Sequence, residues 1–219
     1  MAKMKQTKKY YFSVEGETEQ WYLYWLRDQI NASEEAAYKV AIEAKVEKSP
    51  LKYIKKLTIT GKTEIYHLSD YESDERMHET EFIKTMDELK SAKESGKTVN
   101  YKFGYSNLTF DLWMILHKSN CSGSKTHRSQ YLESINRAYD ETFESMKKYK
   151  DEENFKRILG KLTLKDVKEA IRRSKRIMAD RETAGHRMMQ YKGYRYYKEN
   201  PSLMVWEAIE KILTDVELN

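Results

Sequence analysis

Two short acidic runs contain the residue types from which a divalent-metal site is built. In Val14-Glu15-Gly16-Glu17-Thr18-Glu19 an apolar stretch delivers a carboxylate to a turn, where Gly16 lets the backbone approach a ligand closely. The plain alternative is an acidic helix start, which the helix dipole favours. In Leu68-Ser69-Asp70-Tyr71-Glu72-Ser73-Asp74, acids at alternate positions can aim carboxylates at one cation. Mg²⁺ needs only one or two direct carboxylates, with water and phosphate oxygens completing six. The plain alternative is a polar turn capping the next helix. The run lacks the glycine an EF-hand loop requires.

Other chemistries find less support. Cys121 is the only cysteine, which excludes an intramolecular disulfide and a cysteine zinc cage. It sits in the polar Ser119-Asn120-Cys121-Ser122-Gly123-Ser124 segment, a poor setting for a catalytic thiol. His67, His78, His127 and His186 lack zinc spacing, and His67 lies within a strand-like run. His117 ends an apolar helix, where a cation is favoured; a structural role is the first reading, and its ring is alternatively a candidate phosphate ligand. Thr60-Gly61-Lys62-Thr63 resembles the end of a P-loop, but Lys56 stands where the first glycine is required. Nucleotide hydrolysis by this chain is therefore not expected.

The charge is unevenly spread. The net charge is +5, yet Met146 to Lys198 holds 17 Lys and Arg against 7 Asp and Glu, while Ser69 to Glu94 holds 9 acids against 4 bases. Such separation suits a metal-holding site beside a surface for a polyanion, the alternative being solvated helix faces. Arg172, Arg173, Lys175 and Arg176 form a tight cluster. Arg187, Tyr191, Lys192, Tyr194, Arg195, Tyr196, Tyr197 and Lys198 then interleave cations with rings. Phosphates favour the cations and unstacked bases the rings. The competing reading is core tyrosines with lysine stems laid over them.

The elements that must position these residues follow from periodicity. Lys9–Val14, Tyr38–Val46, Thr63–Leu68 and Val99–Tyr105 read as strands. Helical patterns stand at Thr18–Ile30, Ser49–Leu57, Glu75–Lys93 and Phe110–Leu116. Four alternations predict an α/β fold with a mainly parallel sheet flanked by helices. In such sheets the ligand site lies at the carboxyl ends of the strands. Glu15, Asp70 and Ser106-Asn107 all fall there. Residues 1–118 are thus expected to form an α/β core. Residues 119–219 are expected to be a helical region packed on it, with helices near Ser129–Tyr149, Thr163–Glu182 and Pro201–Leu213.

At Phe12-Ser13-Val14-Glu15-Gly16-Glu17-Thr18-Glu19, Ser106-Asn107-Leu108-Thr109-Phe110-Asp111-Leu112-Trp113-Met114-Ile115-Leu116-His117 and Asn200-Pro201-Ser202 the chain resembles the RloB-like family, related to the abortive-infection Toprim proteins. The similarity spans nearly the whole chain. The middle block is the most specific, since a Ser-Asn turn, an acid and a Trp-containing helix ending in His seldom occur together. The resemblance implies a Toprim-like fold, with Glu15 as the Toprim glutamate, Asp70 and Glu72 as the two acids of the Asp-x-Asp element, and Asp111 as the helix acid. Three positions depart from the family pattern: Glu72 replaces Asp, Asp111 replaces Glu and Leu108 replaces Pro.

What the resemblance implies functionally is metal-dependent phosphodiester hydrolysis in prokaryotic antiphage defence, on tRNA or other RNA, or on DNA, often beside a separate ATPase. Glu15, Asp70 and Glu72 would hold Mg²⁺ or Mn²⁺, with Glu15 also a candidate general base. Asp111 would act with them, and Asp74 could stand behind. Asn107, His117, Arg172, Arg173, Arg176 and Arg195 are the substrate-binding candidates. The competing expectation is a degenerate Toprim site in a binding or sensing subunit held by the ATPase. Primase-like or topoisomerase-like chemistry is a third, disfavoured by the short chain. With no membrane-length apolar run and no apolar signal core after the basic start, the chain is expected in the cytoplasm, and exposed aromatics would permit a homodimer.

Overall fold

The computed structural model describes residues 5–59, 61–94 and 98–218. Residues 1–4 of the basic start, and Thr60 of the rejected P-loop run, lie outside the described residues.

Strands and helices alternate through the first half: β1 (Thr7–Val14), α1 (Glu17–Ala32), β2 (Lys39–Val46), α2 (Pro50–Lys56), β3 (Thr63–Tyr71), α3 (Arg76–Lys93), β4 (Val99–Asn107) and α4 (Asp111–Leu116). The second half holds α5 (Tyr131–Tyr139), α6 (Met146–Lys150), α7 (Glu152–Gly160), α8 (Leu164–Thr183), β5 (Met189–Tyr191), β6 (Tyr194–Tyr196), β7 (Ser202–Leu203) and α9 (Val205–Asp215). The main sheet has the order β2-β1-β3-β4-β7. Its first four strands are parallel, as the alternation predicts, and β7 joins β4 antiparallel.

Side-chain alternation along the strands feeds two apolar layers. Phe12, Val14, Tyr66 and Leu68 face the layer formed with α1, α4, α5, α8 and α9. Ile65, Tyr71, Tyr101 and Tyr105 face the layer formed with α2, α3 and the β5–β6 hairpin. Local signals set several helix starts. Pro50 opens α2 behind Ser49, whose Oγ accepts from Lys52 N at 3.2 Å. Thr163 and Asp166 form a reciprocal capping box on α8, an arrangement worth about 1 kcal/mol.

Three expectations for the second half are corrected. The helix expected over Ser129–Tyr149 is broken after Tyr139: Asp140 adopts φ 52°, and the Asn136 side chain both donates to and accepts from the Phe143 backbone. Ser145 then caps α6 as a new start. The last helix begins at Val205 rather than Pro201, because Ser202 and Leu203 pair with Asn107 and Ser106 as β7. Finally, Tyr194 and Tyr196 lie on a hairpin and are buried against Phe103, Phe82, Tyr71 and Tyr105. Tyr197 is buried too. These rings are core, so the expectation that they stack on bases gives way to the packing alternative.

Candidate active site

The carboxyl ends of β1 and β3 are adjacent, with Val14 opposite Leu68, and β3 continues to Asp70 opposite Ser106 of β4. Glu15, one residue beyond β1, and Asp70 therefore reach the same rim. They line one cleft together with Gly16, Glu17, Thr18, Glu19, Lys48, Glu72, Phe110 and Lys150. A second cleft, of about 420 Å³, shares Glu15, Asp70, Glu72 and Lys48 and extends over α3.

Two further acids stand behind this rim. Glu19, on the first turn of α1, is buried, and its Oε2 accepts from Thr18 Oγ1 at 2.7 Å. A Cβ at position 16 would lie 3.1 Å from that oxygen, so Gly16 gives the Glu19 carboxylate its room. Asp111 opens α4 and is fully buried. Its Oδ2 accepts from Thr109 Oγ1 at 2.9 Å and pairs with Lys150 Nζ, also at 2.9 Å. Its Oδ1 has no hydrogen-bond partner among the described residues.

Burial, reinforced by neighbouring like charges, sets the protonation of the cluster. Burial pushes Glu15 up to about 7, aided by the Glu19 charge and opposed by Ser69, whose Oγ donates to Glu15 Oε1 at 2.5 Å, and by Lys48. Burial, then the charges of Glu19 and Glu15, raises Asp70 well above the usual carboxylate range. Glu19 is raised by its own burial. Burial works against the Lys150 charge, but Asp111, Asp70 and Glu19 outweigh it and hold its pKa above the ordinary value.

The remaining candidates are placed as follows. Glu72 lines both clefts, but its carboxylate lies 3.4 Å from His78 Nε2 and 3.7 Å from Arg128 Nη1. Asp74 accepts from Tyr71 OH at 2.9 Å and lines an adjoining cleft with Asn107, Lys125, Arg181 and Lys198. Asn107 is fully buried and donates to Lys198 O at 2.7 Å, leaving Oδ1 without a partner among the described residues.

His117 is not offered to a substrate. It is 1% exposed, with Nδ1 at 2.9 Å from Trp113 O and Nε2 at 3.1 Å from Tyr22 OH, and burial depresses it to about 4. Arg173 turns inward as well: its Nη1 donates to Leu116 O and His117 O at 2.6 and 3.0 Å, closing the end of α4. Because α4 is about 9 Å long, that arginine stands a helix length from Asp111. Arg172, Arg176 and Arg195 are exposed, the first paired with Glu169.

Glu19, Lys48 and Lys150 were not singled out from the sequence. Glu19 belongs to the first acidic run, where four-residue spacing from Glu15 was its signal. Lys150 reaches the site only through the fold.

Among the described residues no three His, Cys, Asp or Glu side chains stand ready as a metal cage. The donor chemistry nevertheless suits a hard cation: oxygen ligands only, mutually repelling carboxylates, and a buried Asp111 oxygen without a partner. A family model described as RloB-like protein matches residues 10–212. Comparisons with curated proteins and with solved structures found no match.

Proposed function

The chain belongs to the RloB-like family, and from that premise we propose that it is a Toprim-type, divalent-metal-dependent endonuclease that cuts RNA such as tRNA in antiphage defence. One observation supports this reading above the rest: Glu15, Glu19, Asp70 and Asp111 come together at the carboxyl ends of a parallel sheet, although burial and then mutual repulsion make the gathering costly. Stability alone gives no reason to assemble them, whereas a cationic cofactor does.

Glu15 and Asp70 would hold Mg²⁺ or Mn²⁺ at the cleft mouth, with Glu72 available once released from Arg128. A bound divalent ion would supply positive charge to the phosphate oxygens and assist attack by water. Ser69 Oγ donates to Glu15 Oε1 and fixes that oxygen. The Glu15 carboxylate would then take a proton from the attacking water. Lys48 and Lys150 offset charge on either side of the cleft, and exposed Arg172, Arg176 and Arg195 offer phosphate contacts farther out.

A second reading draws on Glu72 and Asp111, whose carboxylates are engaged by Arg128 and His78 and by Lys150. On that view the site is degenerate and the chain is a binding or sensing subunit of an ATPase complex. Incubation with total tRNA, RNA oligomers and DNA, with Mg²⁺, Mn²⁺ or EDTA, and with or without a candidate partner ATPase, separates the two. Metal-dependent cleavage of RNA is expected. Tight binding without cleavage in every mixture, the ATPase included, would favour the subunit reading.

A further inference from the structure

We propose that Lys150 is the built-in cation of this site, filling the position beside Asp111 so that the remaining carboxylates take one divalent ion and not two. The inference rests on the nuclease reading above and concerns how many ions that site accepts.

Lys150 is set apart from its neighbours. Lys147 and Lys148 on the same short helix α6 are exposed, whereas Lys150 turns into the acidic cleft. The preceding residue anchors it there: Tyr149 is fully buried and packs on Phe143 and Phe155, with ring centroids 5.7 and 5.6 Å away. The helix register that buries Tyr149 therefore aims Lys150 at Asp111, and Nζ lies 2.9 Å from Oδ2.

Charge balance gives that contact its meaning. Glu72 lines the same cleft, but its charge is offset there by Arg128 at 3.7 Å. Leaving aside the exposed Glu17, four carboxylates remain: Glu15, Glu19 and Asp70 line the cleft with the ammonium groups of Lys48 and Lys150, and the buried Asp111 stands behind it against Lys150. With all four carboxylates ionised, one divalent ion brings this set to neutrality. A second would overshoot it and would have to compete with an ammonium already seated on Asp111. Lysine is a compact point charge with three donors, so Nζ can keep Asp111 and still offer a hydrogen to a phosphate oxygen. The ammonium would thus supply, without dissociating, the positive charge that a second ion supplies elsewhere.

The test counts bound Mn²⁺ on the full chain, by calorimetry and by loss of the free-ion paramagnetic signal. It compares wild type, Lys150→Gln and the exposed control Lys148→Gln, with circular dichroism to verify folding. One ion is expected for wild type and Lys148→Gln, and two for Lys150→Gln. Equal numbers in all three chains overturn the inference while leaving a metal site in place. Two ions on the wild-type chain overturn it whether or not the variant folds. No Mn²⁺ bound by any of the chains at millimolar concentration sinks the metal reading itself, and this inference with it.

Discussion

Glu15 and Asp70 pay for their position in stability, and that cost can be measured. Glu15 has its pKa raised from 4.5 to about 7 by burial and by Glu19, so the folded chain binds its proton more tightly than the unfolded chain does. The contribution is therefore full below about pH 4.5 and is lost as the pH rises through about 7. Glu15→Gln should flatten the metal-free stability curve across that window, as followed by urea denaturation at a series of pH values. Asp70 is raised more strongly, by burial and two neighbouring acids. Asp70→Asn is expected to raise the metal-free melting temperature at pH 8, where each kcal/mol is worth roughly 2–4 °C for a chain of this size. A lower melting temperature in that variant would mean that the carboxylate is structurally satisfied. Glu15 and Asp70 were legible in the sequence because each follows a β-like run into a polar turn. Lys150 was not, since only the packing of Tyr149 brings it to Asp111. For His117 the structure takes the structural reading over the phosphate ligand: Tyr22 and Trp113 close over it, which its helix-end position alone could not tell.

At the scale of elements, α4 is the part most exposed to error and the most informative. It is six residues long and wholly buried, and its last carbonyls are satisfied by Arg173 from α8. Arg173→Ala leaves those carbonyls without that donor and should cost about 1–3 kcal/mol, seen as a fall in melting temperature, with RNA affinity near wild type. Arg172→Ala and Arg176→Ala should do the reverse. Each should leave the melting temperature alone and lower the slope of log affinity against log salt by about one contact. Equal behaviour of the three would dissolve the distinction between a buried cap and a phosphate-facing row. The long strands and α1 were readable because eight or more residues of period 2 or 3.6 leave little ambiguity. The strands β5, β6 and β7 span three, three and two residues, too few to show a period, and their tyrosines sit among cations. Composition there suggested a surface, whereas the hairpin needed those rings to cover Phe82 and Phe103.

For the whole molecule, two neutral histidines limit tolerance to acid. His67, hydrogen-bonded to Ser13 Oγ at 2.7 Å, is lowered by burial to about 3, and His117 to about 4. A histidine depressed below its unfolded value of 6.5 contributes fully above pH 6.5 and loses that contribution as the pH falls. Each adds up to about 1.4 kcal/mol per pH unit to the slope. His67→Phe should therefore shed up to one proton's worth of slope between pH 6.5 and 4.5, read as variant against wild type so that the carboxylates acting in the opposite sense cancel. An unchanged slope would contradict a buried neutral ring. The same molecule keeps acids at one end of its sheet and exposed arginines beyond α4, and no helix among the described residues is long and apolar enough to cross a membrane. The activity proposed for the acidic end is phosphodiester hydrolysis. Its most direct test is cleavage of RNA in Mn²⁺ by wild type, Glu15→Gln and Asp70→Asn, all verified as folded. The account predicts cleavage by wild type and a loss of at least about 10²-fold in each variant. Wild-type rates in both variants would contradict it.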